Sequence, residues 1–142
     1  MVLLATKPKG ADGARAERVL ETISIACNKN TLPSGNPIIL SAFVNLTNLL
    51  DTSAINPGGI RVGAPAMTTR GFTEPEFVKI VDFIDRAIIV AAEIQKSLPK
   101  EANKLKDWKA KLGDGSQYPE LVQLRKEVNE LAGKYPLPAL LE

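Results

Sequence analysis

The sequence predicts an α+β fold, a short mixed sheet covered by helices, and three observations predict it. A short apolar run at residues 2–5 and the alternating Ile60, Arg61 and Val62 are bounded by proline and glycine, as strands are. The block around Cys27 reads as a further strand. The second half of the chain carries three apolar stripes at helical spacing. At 142 residues and 44% hydrophobic, the chain is long enough for one core of ordinary size, so residues 1–142 are expected to form one compact domain.

The opening strand ends at KPKGADG, where proline and glycines enforce a turn. Gly10 and Gly13 lack the spacing and terminal lysine of a nucleotide-phosphate loop and belong to that turn. Asp12 is placed to cap a helix whose apolar positions are Ala16, Val19, Leu20 and Ile23, with Arg15, Glu17, Arg18 and Glu21 on the wet side. A second strand is expected over residues 25–29 and the next over 60–62. Thr73 and Glu76 then form a capping box, with Phe72 and Phe77 at the staple positions. From there Phe77, Ile80, Val81, Ile84, Ala87, Ile88, Ala91 and Ile94 mark a long helix that Leu98 and Pro99 stop. Leu105, Trp108 and Leu112 mark a shorter helix ending at Gly113. Leu121, Leu124, Val128 and Leu131 mark a last one ending near Gly133, with Glu127 and Glu130 on a solvated face.

Composition narrows the function classes. A net charge of +2 arises from interspersed acids and bases with no basic block, so neither nucleic acid nor a membrane surface is expected as partner. No segment reads as a secretory signal or has the ~20 apolar residues of a span. The chain has no histidine, which removes the commonest general base, the serine-histidine triad and most zinc sites. No metal site is expected. The single cysteine, Cys27, excludes an internal disulfide framework and reads as a small buried hydrophobe.

Residues 58–71, GGIRVGAPAMTTRG, carry the strongest functional signal. Ile60 and Val62 alternate around Arg61, so they should face the core while Arg61 points to the opposite side of the strand. Gly58, Gly59 and Gly63 are expected to leave the backbone uncluttered for a ligand. A guanidinium is a planar fork of donors that meets a carboxylate at two points and stays charged at any working pH. Arg61 is therefore a candidate carboxylate receptor, the alternative being a salt bridge to an acid elsewhere in the fold.

This stretch resembles the substrate strand in the small domain of serine hydroxymethyltransferase. VLLATKPKGADGARAERVLE resembles the start of that enzyme's C-terminal domain, ACNKNTLP at residues 26–33 its folate-side strand, and KYPLPALLE at residues 134–142 its tail. The resemblance implies the small C-terminal domain of a fold-type I transferase dependent on pyridoxal 5'-phosphate (PLP). It implies interconversion of serine and glycine, with transfer of a one-carbon unit to tetrahydrofolate. By the same resemblance Arg61 would hold the carboxylate of serine or glycine, and Asn30 would meet the pterin of the folate. From the residues alone, Asn30 reads as a turn cap after its strand. The resemblance also implies a homo-oligomeric parent enzyme in cytosol or mitochondrion.

The family's cofactor lysine lies in a threonine-rich run beside a histidine, and this chain contains no such run. The resemblance therefore implies a fragment without cofactor-binding or catalytic residues of its own, inactive alone. The alternative function is a non-catalytic carboxylate-binding or interaction domain derived from that enzyme. One block departs from the family pattern. At about residues 35–50, NPIILSAFVNLTNLL replaces a short polar turn. It reads as translated intervening sequence, the alternative being a lineage insertion packed on the domain surface.

Overall fold

A computed structural model describes residues 2–32, 57–99, 101 and 104–137. The block at 35–50 lies outside the described residues. β1 (Val2–Ala5) passes through a 3-10 turn (Lys7–Lys9) into α1 (Gly13–Thr22), which leads to β2 (Asn28–Asn30). β3 (Gly59–Val62) then enters the sheet between the two, in the order β1-β3-β2. Both neighbours pair with β3 antiparallel. β1 and β2 thus run parallel to each other but are separated by β3, so no parallel pair forms among the described residues. The mixed sheet expected from sequence is corrected to an antiparallel one for that reason.

Gly10 closes the 3-10 turn at φ 94, the left-handed region glycine favours. Asp12 then caps α1, its carboxylate accepting the Arg15 N–H at 2.9 Å. Arg15 departs from expectation. It is buried, its guanidinium paired with Asp12, because the cap carboxylate draws it inward.

α1 ends in a Schellman motif. Ser24 adopts φ 67 and donates to the Glu21 carbonyl at 3.1 Å, while Ile25 donates to Leu20 at 3.0 Å. This exit commits the Ile25 N–H to the helix end. The second strand therefore begins at Asn28 instead of Ile25.

After β3 comes a short helix, α2 (Pro65–Thr69), which the sequence reading missed. The hydroxyls of Thr68 and Thr69 bond back to Ala64 and Pro65 at 3.2 and 3.0 Å. α3 (Glu74–Lys96) starts where the capping box predicts. The Glu76 carboxylate accepts from the Thr73 N–H at 2.9 Å and its hydroxyl at 2.6 Å. Phe72 and Phe77 staple the turn edge-to-face, their ring centres 6.2 Å apart.

The C-terminal half of α3 is buried almost all round, with Ala87, Ile88, Val90, Ala91, Ala92 and Ile94 in the core. α1, α4 (Leu105–Leu112) and α5 (Pro119–Gly133) pack about it. Trp108 of α4 is fully buried and donates its indole N–H to the Ala91 carbonyl at 3.2 Å. Val81, placed on the core stripe by its spacing, is 40% exposed. Glu127, assigned to a solvated face, instead pairs with Arg86 at 2.8 Å, and Arg86 also reaches Glu120 at 2.7 Å. This pairing ties α3 to α5, holding the Glu127 carboxyl below its usual range and pushing the guanidinium further up.

Candidate functional site

Arg61 occupies the central strand. Its neighbour Ile60 is fully buried against the helices and Val62 is half-buried against the same core, so strand alternation sends Arg61 to the other side, where it is exposed. Among the described residues no carboxylate lies within ion-pair distance of its guanidinium. The salt-bridge alternative thus finds no partner there.

The backbone that carries Arg61 is strapped in place from two sides. The Gly58 carbonyl accepts from the Thr6 N–H at 2.9 Å and the Thr6 hydroxyl at 3.3 Å, and the Pro57 carbonyl accepts from Gly13 at 2.7 Å. A Cβ on Gly13 would run into the Gly59 carbonyl, and one on Gly59 into the Leu4 carbonyl. These contacts correct the reading of the glycines. Gly58 and Gly59 are buried, and Gly13 and Gly59 let β1, β3 and the first turn of α1 close on one another, whereas Gly63 is exposed beside the strand.

The register decides what surrounds Arg61. Asn28 of β2 and Leu3 of β1 lie directly across from it, and Asn30 lies across from Gly59. Directly opposed residues share a face, so Asn28, Asn30, Leu3 and Arg61 occupy one side of the sheet, away from the helices. The structure thus brings the two predicted site residues together. Asn30 is half-exposed, and its amide donates to the Thr31 carbonyl at 2.5 Å. This local bond leaves the side-chain oxygen and a second hydrogen for other partners. Asn28 was missed. Its signal was the strand period itself, which puts alternate residues of NKN on one face.

Arg70, close in sequence to Arg61, has a different task. Its guanidinium donates to the Tyr135 and Ala132 carbonyls, each at 2.8 Å, and sits 5.9 Å from the centre of the Phe72 ring. It closes the C-terminal end of α5.

Cys27 is half-buried, and burial, followed by Glu17 and Glu21, pushes its thiol up to about 12. Such a thiol is a poor nucleophile at neutral pH. A cavity of about 210 Å³ lies between the 3-10 turn, the start of α1 and the end of α3, lined by Lys7, Gly10, Ala11, Asp12, Arg15 and Gln95. None of the predicted site residues lines it. Arg61 is exposed on the sheet face turned away from the described helices.

The chemistry of that face fits some groups and not others. One guanidinium, two amides, Leu3 and Ala5 suit a carboxylate and a polar heterocycle edge. A covalently held PLP needs an amine, a plate for its ring and a cradle for its phosphate. The donors around Arg61 do not fit that group.

Fold and face together define an α+β domain with an exposed arginine on the central strand of its sheet. A family model described as serine hydroxymethyltransferase matches residues 1–84. A probable cytosolic serine hydroxymethyltransferase of Schizosaccharomyces pombe is 61% identical over 137 residues, covering 96% of this chain and 26% of that protein. The cytosolic serine hydroxymethyltransferase of Aspergillus fumigatus is 52% identical, covering 97% of this chain and 26% of that protein. A putative mitochondrial one from Neurospora crassa is 44% identical, covering 97% and 24%. The chain belongs to the serine hydroxymethyltransferase family. It spans about a quarter of the length of these relatives. No helix among the described residues is long and apolar enough to cross a membrane.

Proposed function

We propose that this chain is the C-terminal small-domain part of a glycine hydroxymethyltransferase and supplies two of its binding contacts. Arg61 holds the carboxylate of serine or glycine, and Asn30 meets the pterin edge of tetrahydrofolate. The observation that carries this reading is the β2–β3 register, which puts Arg61 and Asn30 on one open sheet face. Family membership supports it.

A two-point grip on the carboxylate fixes the orientation of the substrate, so Arg61 acts by positioning. Asn30 combines donors with an acceptor, which suits a heterocycle edge that presents both. PLP, which supplies the electron sink for bond cleavage at the amino-acid carbon, is held by the part of the parent enzyme outside this chain. The parent is a homo-oligomer working in cytosol or mitochondrion, the compartments in the relatives' names.

The chain alone is expected to be inactive. The test is to incubate purified protein with PLP, serine and tetrahydrofolate, following absorbance and glycine release. Neither a protein-bound cofactor band nor glycine is expected, and the appearance of both would overturn the assignment of the cofactor to the rest of the enzyme.

A further inference from the structure

We propose that Asn28 is a second donor of the Arg61 carboxylate site, an inference that rests on the reading of Arg61 given above. Asn28 stands directly across the ladder from Arg61. Opposed residues of an antiparallel pair have Cβ atoms about 4.5–5.5 Å apart and side chains on one face, so an oxyanion held by the guanidinium lies within reach of the Asn28 amide. Asn28 is exposed, and among the described residues its side chain makes no hydrogen bond. Arg61's other cross-strand neighbour is Leu3, which offers no polar group. The donors are therefore asymmetric: guanidinium and amide toward β2, an apolar wall toward β1.

A carboxylate presents about four lone-pair positions and a guanidinium fork uses two, which leaves an outer position for one amide N–H from the β2 side. The identity of the residue also matters. A neutral amide adds a donor without neutralising Arg61, whereas an aspartate here would pair with the guanidinium and compete with the ligand. Asn28 thus keeps the fork open while extending it.

The test is an NMR-monitored titration of the labelled chain with glycine, using glycinamide as a probe lacking the carboxylate. Wild type, Arg61→Gln, Asn28→Ala, Asn28→Thr and Asn28→Asp are compared, with thermal melts to verify folding. Asn28→Ala should weaken glycine binding about three- to tenfold. Asn28→Thr, which keeps strand propensity but loses the amide's reach, should match it. Asn28→Asp should lose at least a further tenfold. Because a carboxylate at this position competes for the guanidinium whether or not Asn28 donates, the Asp variant reports only its nearness to Arg61, and the losses in Ala and Thr report the donor. If Arg61→Gln abolishes binding while Asn28→Ala and Asn28→Thr bind as wild type does, the role of Asn28 is overturned and the carboxylate reading stands. If wild type shows no carboxylate-dependent response, or Arg61→Gln matches it, the reading of Arg61 falls and the Asn28 proposal with it.

Discussion

Arg61 has no acid to pair with among the described residues, so its guanidinium is open to a ligand. A hydrogen bond to a charged group contributes about 1.5–3 kcal/mol, so Arg61→Ala should weaken serine or glycine binding by roughly tenfold to over a hundredfold. Arg61→Lys should recover little, because an ammonium cannot reproduce the fork. Parallel binding isotherms of the two variants check both statements. Ser24 offers a stability test at the same scale. It sits at φ 67 where glycine is the usual occupant, so Ser24→Gly should raise unfolding free energy by about 0.5–1 kcal/mol in urea melts. Arg61 was legible because alternation around a single cation needs only the local sequence. The burial of Arg15 was not, since the helical wheel places it outside and the capping carboxylate turns it in.

Among the elements, α3 is the best specified. Its start, staple and stop are local signals, and the structure reproduces all three. The Thr73 hydroxyl and N–H, with the Tyr135 hydroxyl, hold the Glu76 carboxyl at about 2, below its ordinary 4.5. A depressed carboxyl stabilises the folded state fully above its unfolded value, so this contribution should disappear as pH falls from about 4.5 to about 2. Glu76→Gln keeps a capping-box side chain without the charge, and its melting temperature should depend less on pH across that window than wild type's. An unchanged slope would exclude Glu76 as the source. By contrast, β2 starts later than its sequence suggests and α2 leaves no sequence signal. β2 starts late because a Schellman exit consumes the residues before it, a decision made by backbone geometry at Ser24. α2 is a five-residue turn of helix with too little periodicity to register.

For the whole molecule, the fold class and the helical cover were readable from patterning, but the strand order was not. β3 joins the sheet between two strands that a helix already connects, and nothing in the spacing of apolar residues records which neighbours it chooses. That choice sets Asn28 and Asn30 on the same side as Arg61. It also requires α1 to approach the sheet closely at Gly13. Gly13→Ala should therefore destabilise the domain by about 1–3 kcal/mol and, by shifting β3, weaken ligand binding at Arg61 as well. Denaturant melts and a glycine titration on the same variant report the two effects.

The sheet face around Arg61 is proposed as a carboxylate receptor. The most direct measurement maps amide and guanidinium shifts in the labelled wild-type chain as glycine and then glycinamide are added. Glycine should shift Arg61 and its neighbours on β2 and β3, and glycinamide should leave them unmoved. Shifts clustered at the cavity between Lys7 and Gln95, or an equal response to both compounds, would contradict it.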